Sequence, residues 1–220
     1  MRGIGAWESG LLLAVCWLCN AREILPVRIQ IAIYDQADLG EKTLASAESL
    51  TGKILLASGL KAEWRTGSIS DLQWLLTDFT ARNVSECASV PTSGLLRVQV
   101  LPRAPGGIPA QALGFSLPCA MTGIKVTIYA DRIAQVSERT ALPFSRVLGC
   151  ALAHELGHVL LHSAAHENSG LMRAVWSKSD WQRAAAGVMS FSPEQARRML
   201  GPIHGASSAE TVQRASIRHH

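Results

Sequence analysis

Residues 154–166 read HELGHVLLHSAAH, which gathers four of the chain's seven histidines and opens with the HExxH spacing. On a helix, positions four apart lie one above the other, so His154 and His158 can aim their imidazoles at one point. Zinc accepts imidazole nitrogen at about 2.0–2.1 Å, and a catalytic site uses three protein ligands and leaves a fourth position open. Glu155 follows the first histidine, which sets its carboxylate beside the metal, free to take a proton from water rather than to bind the ion. The chemistry this spacing points to is zinc-assisted hydrolysis of a peptide bond. A bound zinc would supply activation of the water and polarisation of the carbonyl, and Glu155 would accept the proton and later return it to the leaving amine.

The third ligand is open among His162, His166 and Glu167. His162 extends the helical row, but each four-residue step turns by about 40°, so three members of one row converge poorly on an ion. His166 is favoured, because it lies past the expected helix end and a chain reversal there can swing it back. His162 is expected to end the helix with its ring near the last carbonyls.

The helix that carries the motif is read from Ser145, a plausible cap, through Val147, Leu148, Cys150, Ala151, Leu152, Leu156, Val159, Leu160 and Leu161 without a proline. Apolar residues fall on all its faces, which predicts a buried helix. Buried histidines and a glutamate require partners, and a metal ion supplies one.

The stretch from His154 resembles the metzincin clan of zinc metallopeptidases, whose HExxHxxGxxH pattern is followed by a turn with a methionine beneath the metal. Here the third histidine falls later, at His166, and Leu161 stands where that pattern has glycine. AHELGHVLLHSAAHENSGLMRAVW is more similar to a group of secreted bacterial zincin-like proteins with HELGHLLL, a short spacer, HS, and a GIM segment before a tryptophan. There the longer spacer is usual. In that group a glycine commonly ends the motif helix; the residue here is His162, which tolerates positive φ better than most. The resemblance is specific from about Lys125 to Trp176. It implies His166 as third ligand, Met172 as the Met-turn residue, and an antiparallel edge strand at Gly114, Phe115, Ser116 and Leu117 that receives an extended peptide by strand addition. It also implies an α+β, zincin-like fold: a twisted mixed sheet, an early helix, a central HExxH helix and a small helical C-terminal part.

The remaining sequence is read against that order. VRIQIAIYD from Val27 and LLRVQVLP from Leu95 alternate as strands, and Glu41 to Trp64 reads as an amphipathic helix. Asp71 to Phe79 is a short strand or helix, RAPGGIPAQ a loop, and GFSLP from Gly114 and KVTIYADRI from Lys125 two further strands. After Met172 come two short helices, one capped at Ser179 and one begun by Ser192, Pro193 and Gln195.

A chain of 220 residues that is 48% hydrophobic can bury one substantial core. Arg2 followed by GLLLAVCWLCNA reads as an export signal cleaved after Ala21, too short for a comfortable membrane span. This divides the chain into residues 1–21, a domain at 22–204 and a tail from 205 to 220, and places the mature protein in a secreted or periplasmic setting. Oxidising surroundings permit disulfides, and Cys87 with Cys119 is the best candidate pair, whereas Cys150 is expected to stay a buried free thiol. The net charge of +4 comes from scattered arginines rather than a basic stripe, so nucleic acid is not implied. The expected partner is a peptide or protein substrate, met by a monomer. Tyr34 and Tyr129 are the only tyrosines, and neither follows Met172 where many zincins place an oxyanion donor. A non-catalytic zinc-binding protein that uses the same scaffold to hold a peptide is therefore the alternative.

Overall fold

Alternation in VRIQIAIYD puts Ile29, Ile31 and Ile33 on one face of a strand, and all three are buried there. In the computed structural model, which describes residues 25–68, 94–120 and 123–201, this strand is β1 (Val27–Asp35). It is followed by α1 (Glu41–Leu56), β2 (Leu60–Thr66), β3 (Leu95–Leu101), β4 (Gly114–Ser116) and β5 (Val126–Tyr129). Then come α2 (Ala130–Thr140), α3 (Phe144–Leu160), α4 (Lys178–Ala185) and α5 (193–201). The export segment, Asp71 to Phe79, Cys87 and the tail fall outside the described residues.

The five strands order as β2-β1-β3-β5-β4. The first four are mutually parallel, and β4 runs antiparallel to β5 at one edge. Ile31, Val98, Val100, Val126 and Ile128 form the apolar side of the sheet, in one core with Leu55 of α1 and Leu148 and Leu152 of α3. The architecture is therefore α+β with a mixed sheet, an early helix, a central motif helix and a small helical C-terminal part. Among the described residues no helix is long and apolar enough to cross a membrane.

Burial of the motif helix is nearly complete. Every residue from Val147 to Leu160 is buried, as apolar residues on all faces predict. The helix crosses α1 at Gly149, where an added Cβ would come within 2.9 Å of the Ala47 carbonyl oxygen and 3.0 Å of Leu50. The Thr51 hydroxyl lies 2.9 Å from both the Ala47 and Gly149 carbonyl oxygens and ties the two helices together.

Four local expectations are corrected. The helix read from Glu41 to Trp64 stops at Leu56, and the chain turns at Gly59 (φ 81°) into β2, which pairs with β1 from Leu60 onward. Parallel pairing there overrides the helix-forming residues of LKAEWR. KVTIYADRI is a strand only to Tyr129; Ala130 begins a helix. The motif helix starts at Phe144 after Pro143, not at a Ser145 cap, and no side chain caps it. Helix α4 is capped by Ser177 rather than Ser179, through a reciprocal capping box with Asp180. At the second C-terminal helix the Ser192 and Gln195 side chains exchange the expected bonds with each other's backbone N–H, at 3.2 and 2.8 Å.

Candidate metal centre

Three histidine side chains meet at the C-terminal half of α3. The Nε2 atom of His158 lies 3.1 Å from that of His154 and 3.3 Å from that of His166, and the three ligand atoms all lie within 4.8 Å of one another. His154 and His158 come from successive turns of α3. His166 arrives by a chain reversal that begins where the helix ends. The His162 N–H donates to the Val159 carbonyl at 3.2 Å and the Ser163 N–H to the His158 carbonyl at 3.1 Å. This is a Schellman turn with His162 in the left-handed position at φ 48°, where glycine is usual.

The His162 ring makes no hydrogen bond to the last helix carbonyls. It hydrogen-bonds to the Pro118 carbonyl, and its Nδ1 is buried without a partner. Neither His162 nor the exposed Glu167 joins the three-histidine group.

Backbone carbonyls set the tautomers. Nδ1 of His154 lies 2.7 Å from the Leu171 carbonyl oxygen, and Nδ1 of His158 lies 2.8 Å from that of Ser163. A carbonyl oxygen only accepts, so each Nδ1 must carry the proton. Both Nε2 atoms then present lone pairs to one another at 3.1 Å, an arrangement that a shared cation would relieve. Two nitrogens at tetrahedral positions about 2.0–2.1 Å from zinc would be separated by about 3.3–3.4 Å; the pairs made by His158, at 3.1 and 3.3 Å, match this, and the His154–His166 pair is wider, within 4.8 Å. Burial lowers the pKa of His154 to about 4 and also lowers that of His158, so both rings are neutral at pH 7, as metal ligation requires. The donor set therefore fits zinc.

Glu155 faces the same cleft from the next position on α3. Burial pushes its carboxyl up to about 7, opposed in part by a hydrogen bond with the Ser116 side chain. Gly114 leaves room for this carboxylate: a Cβ there would come within 2.9 Å of Glu155 Cγ and 2.7 Å of the Thr127 carbonyl oxygen. Tyr129 is buried close enough for the Glu155 charge to raise its phenol further, after burial itself.

The edge strand lies alongside. The Tyr129 N–H donates to the Leu113 carbonyl and the Leu117 N–H to the Lys125 carbonyl, in register with Gly114 opposite Ile128 and Ser116 opposite Val126. In an antiparallel ladder this alternation turns the backbone groups of Leu113, Phe115 and Leu117 toward β5 and those of Gly114 and Ser116 toward the open edge. Phe115, 51% exposed, lines the cleft on this side, and Val175, 58% exposed, lines it as part of the segment after Met172.

Met172 is fully buried beneath the motif helix. An added Cβ on Gly157 would meet Met172 Sδ and Phe191 Cε1, each at 2.6 Å. Its turn is closed by the Glu167 N–H donating to the Met172 carbonyl at 2.9 Å.

Sequence reasoning left one contributor unassigned, Trp176. Its indole N–H donates to the Leu171 carbonyl at 3.0 Å, the same oxygen that holds His154, and its ring stands edge-on to His154 with centroids 5.8 Å apart. No sequence signal marks that bond, because the acceptor is a backbone atom. Cys119 is disulfide-bonded and its partner lies outside the described residues, while Cys150 is a buried free thiol whose pKa burial pushes up to about 12.

No protein-family model matches the chain, and no curated protein matches it in sequence. Among solved structures it is similar to archaemetzincin from Methanopyrus kandleri, at 12% identity and a TM-score of 0.48, over 80% of this chain and 96% of that one. It is also similar to metalloproteinase-II from Bacteroides fragilis, at 14% identity and a TM-score of 0.45, over 81% of this chain and 54% of that one. The chain thus spans about half the length of the second protein. Likeness of this degree assigns no activity.

Proposed function

We propose that this chain is an exported zinc-dependent peptidase of metzincin-like type that hydrolyses peptide bonds in a peptide or protein substrate. The observation that carries this reading is the convergence of three imidazole Nε2 atoms beside a buried carboxylate that is not one of them. His154, His158 and His166 would hold the ion, with Leu171 and Ser163 fixing two of the rings and Met172 packed under the helix. Zinc, when bound, supplies Lewis-acid polarisation of a carbonyl and lowers the pKa of water.

The protein's own part is positional. Glu155, with a carboxyl near neutrality and a Ser116 hydroxyl against it, is suited to accept a proton from water and return it to the leaving amine. The outward N–H and C=O groups of Gly114 and Ser116 would pair with an extended substrate backbone and hold it across the carboxylate. Export rests on residues 1–21, with their basic start and short apolar run.

The test joins metal content to cleavage of a peptide mixture, read by mass spectrometry. Wild type should hold one zinc per chain and cleave. Glu155→Ala should keep zinc and lose cleavage by about 10²-fold or more, and His158→Ala should lose the metal. Equal loss of zinc in both variants would refute the division of roles, and zinc-loaded wild type that cleaves nothing would identify a peptide-binding scaffold instead.

A further inference from the structure

The cleft in front of the histidines is about 790 Å³, room for a large side chain as well as the backbone. It extends from His154 and Glu155 along α3 to Ala151 and on to the α2 residues Gln135, Val136, Arg139 and Thr140. Its charge is one-sided. Among the described residues that line it, Glu155 is the sole carboxylate, and Arg139 and Arg173 are the cations. Arg173 is already matched by the buried Asp180, 3.3 Å from its guanidinium. Arg139 is exposed and forms no ion pair among the described residues.

The direction of the edge strand says which part of a substrate would meet Arg139. β4 begins beside Leu113 and Tyr129, next to the start of α2, and ends beside Leu117 and Lys125. A peptide added antiparallel to β4 enters beside Leu117 and leaves beside Leu113. α3 runs alongside β4 in the same direction, with Glu155 against Gly114 and His162 bonded to the Pro118 carbonyl, so Ala151, and Arg139 with which it lines the cleft, lie past the start of β4, where the segment that follows the bond held over Glu155 would run.

Resting on the peptidase reading above, we infer that Arg139 reads a carboxylate on the substrate's C-terminal side of the cut, so that the cleft selects peptides with Asp or Glu there. Such a pair is partly solvated, and one worth up to about 1 kcal/mol corresponds to a preference of about fivefold.

Two measurements test this. In the first, zinc-loaded wild type and Arg139→Glu digest the same peptide library, with Glu155→Ala as the blank. Wild type should enrich Asp and Glu about fivefold within the first few positions after the cut, and Arg139→Glu should reverse this toward Lys and Arg at the same position. Cleavage with no acidic enrichment, or an enrichment that Arg139→Glu leaves unchanged, overturns the inference while the peptidase reading stands. In the second, zinc-loaded Glu155→Gln binds fluorescent decapeptides that carry Glu, Gln or Lys in the C-terminal half, and Arg139→Glu is introduced into the same background. The Glu peptide should bind about fivefold more tightly than the Gln peptide, and the added substitution should abolish the difference. Equal binding of all three refutes the subsite even if wild type cleaves nothing, and melting curves confirm that each variant is folded.

Discussion

Replacing Gly157 by alanine should destabilise this protein, although the same change in a helix interior normally does the opposite. Alanine exceeds glycine in helix propensity by about 0.8–1 kcal/mol, and α1 offers a position where only that gain applies. At Gly52 an added Cβ would meet nothing closer than Trp64 Nε1 at 3.9 Å, an ordinary contact. At Gly157 the added atom would lie 2.6 Å from both Met172 Sδ and Phe191 Cε1, and 3.1 Å from Phe191 Cζ. Met172 and Phe191 are 1% and 6% exposed, so neither has free space to enter. Overpacking of a filled core costs about 1–3 kcal/mol, and two simultaneous overlaps place this site in the upper part of that range. Subtracting the propensity gain leaves a net loss of about 1–2 kcal/mol. For a domain of this size 1 kcal/mol moves Tm by about 2–4 °C. Gly157→Ala should therefore melt about 2–8 °C below wild type in the metal-free protein, and Gly52→Ala about 1–4 °C above it. A displaced Met172 also carries the Leu171 carbonyl that orients His154, so zinc affinity should fall about 10-fold or more in a chelator-competition titration. A Gly157→Ala protein that melts at or above wild type and binds zinc equally well would refute the packing argument.

Trp176→Phe keeps a ring beside His154 and removes the N–H that shares the Leu171 carbonyl; competition titration should show zinc held about 10-fold more weakly, with the fold intact by circular dichroism. Glu155→Gln should alter the pH dependence of metal-free stability. Because burial raises the Glu155 pKa from 4.5 to about 7, the folded state binds more protons than the unfolded state between those values. Its contribution is then greatest below about pH 4.5 and is lost as pH rises through about 7, a difference of about 3 kcal/mol for a shift of this size. In urea melts Glu155→Gln should gain on wild type from pH 5 to pH 8; a difference that does not grow with pH would contradict the buried carboxylate.

How much could be read without coordinates depended on whether the signal was local. The HExxH spacing places His154, Glu155 and His158 on one stretch of helix by geometry alone, and an apolar surround on all faces requires that helix to be buried. Strands β1 and β3 follow from alternation, and the Ser192–Gln195 cap from residues three apart. These are short-range statements, and a linear sequence carries them directly.

Other features were decided by contacts between distant segments. LKAEWR has the residues of a helix and becomes β2 because the edge of β1 is available to it. ADRIAQVSERT follows β5 with no glycine, proline or capping side chain to mark its start, so α2, and with it Arg139, was not visible as a helix. The meeting of His166 with the other two imidazoles depends on a left-handed turn at His162, and the tautomers depend on carbonyls of Leu171 and Ser163. Every residue has a carbonyl, so composition cannot say which one will face a ring. The chain alone determined that two histidines and a glutamate share a buried helix. Only the tertiary structure decided what closes around them, because the reversal, the acceptors and the facing strand come from segments whose positions are set by packing rather than by spacing.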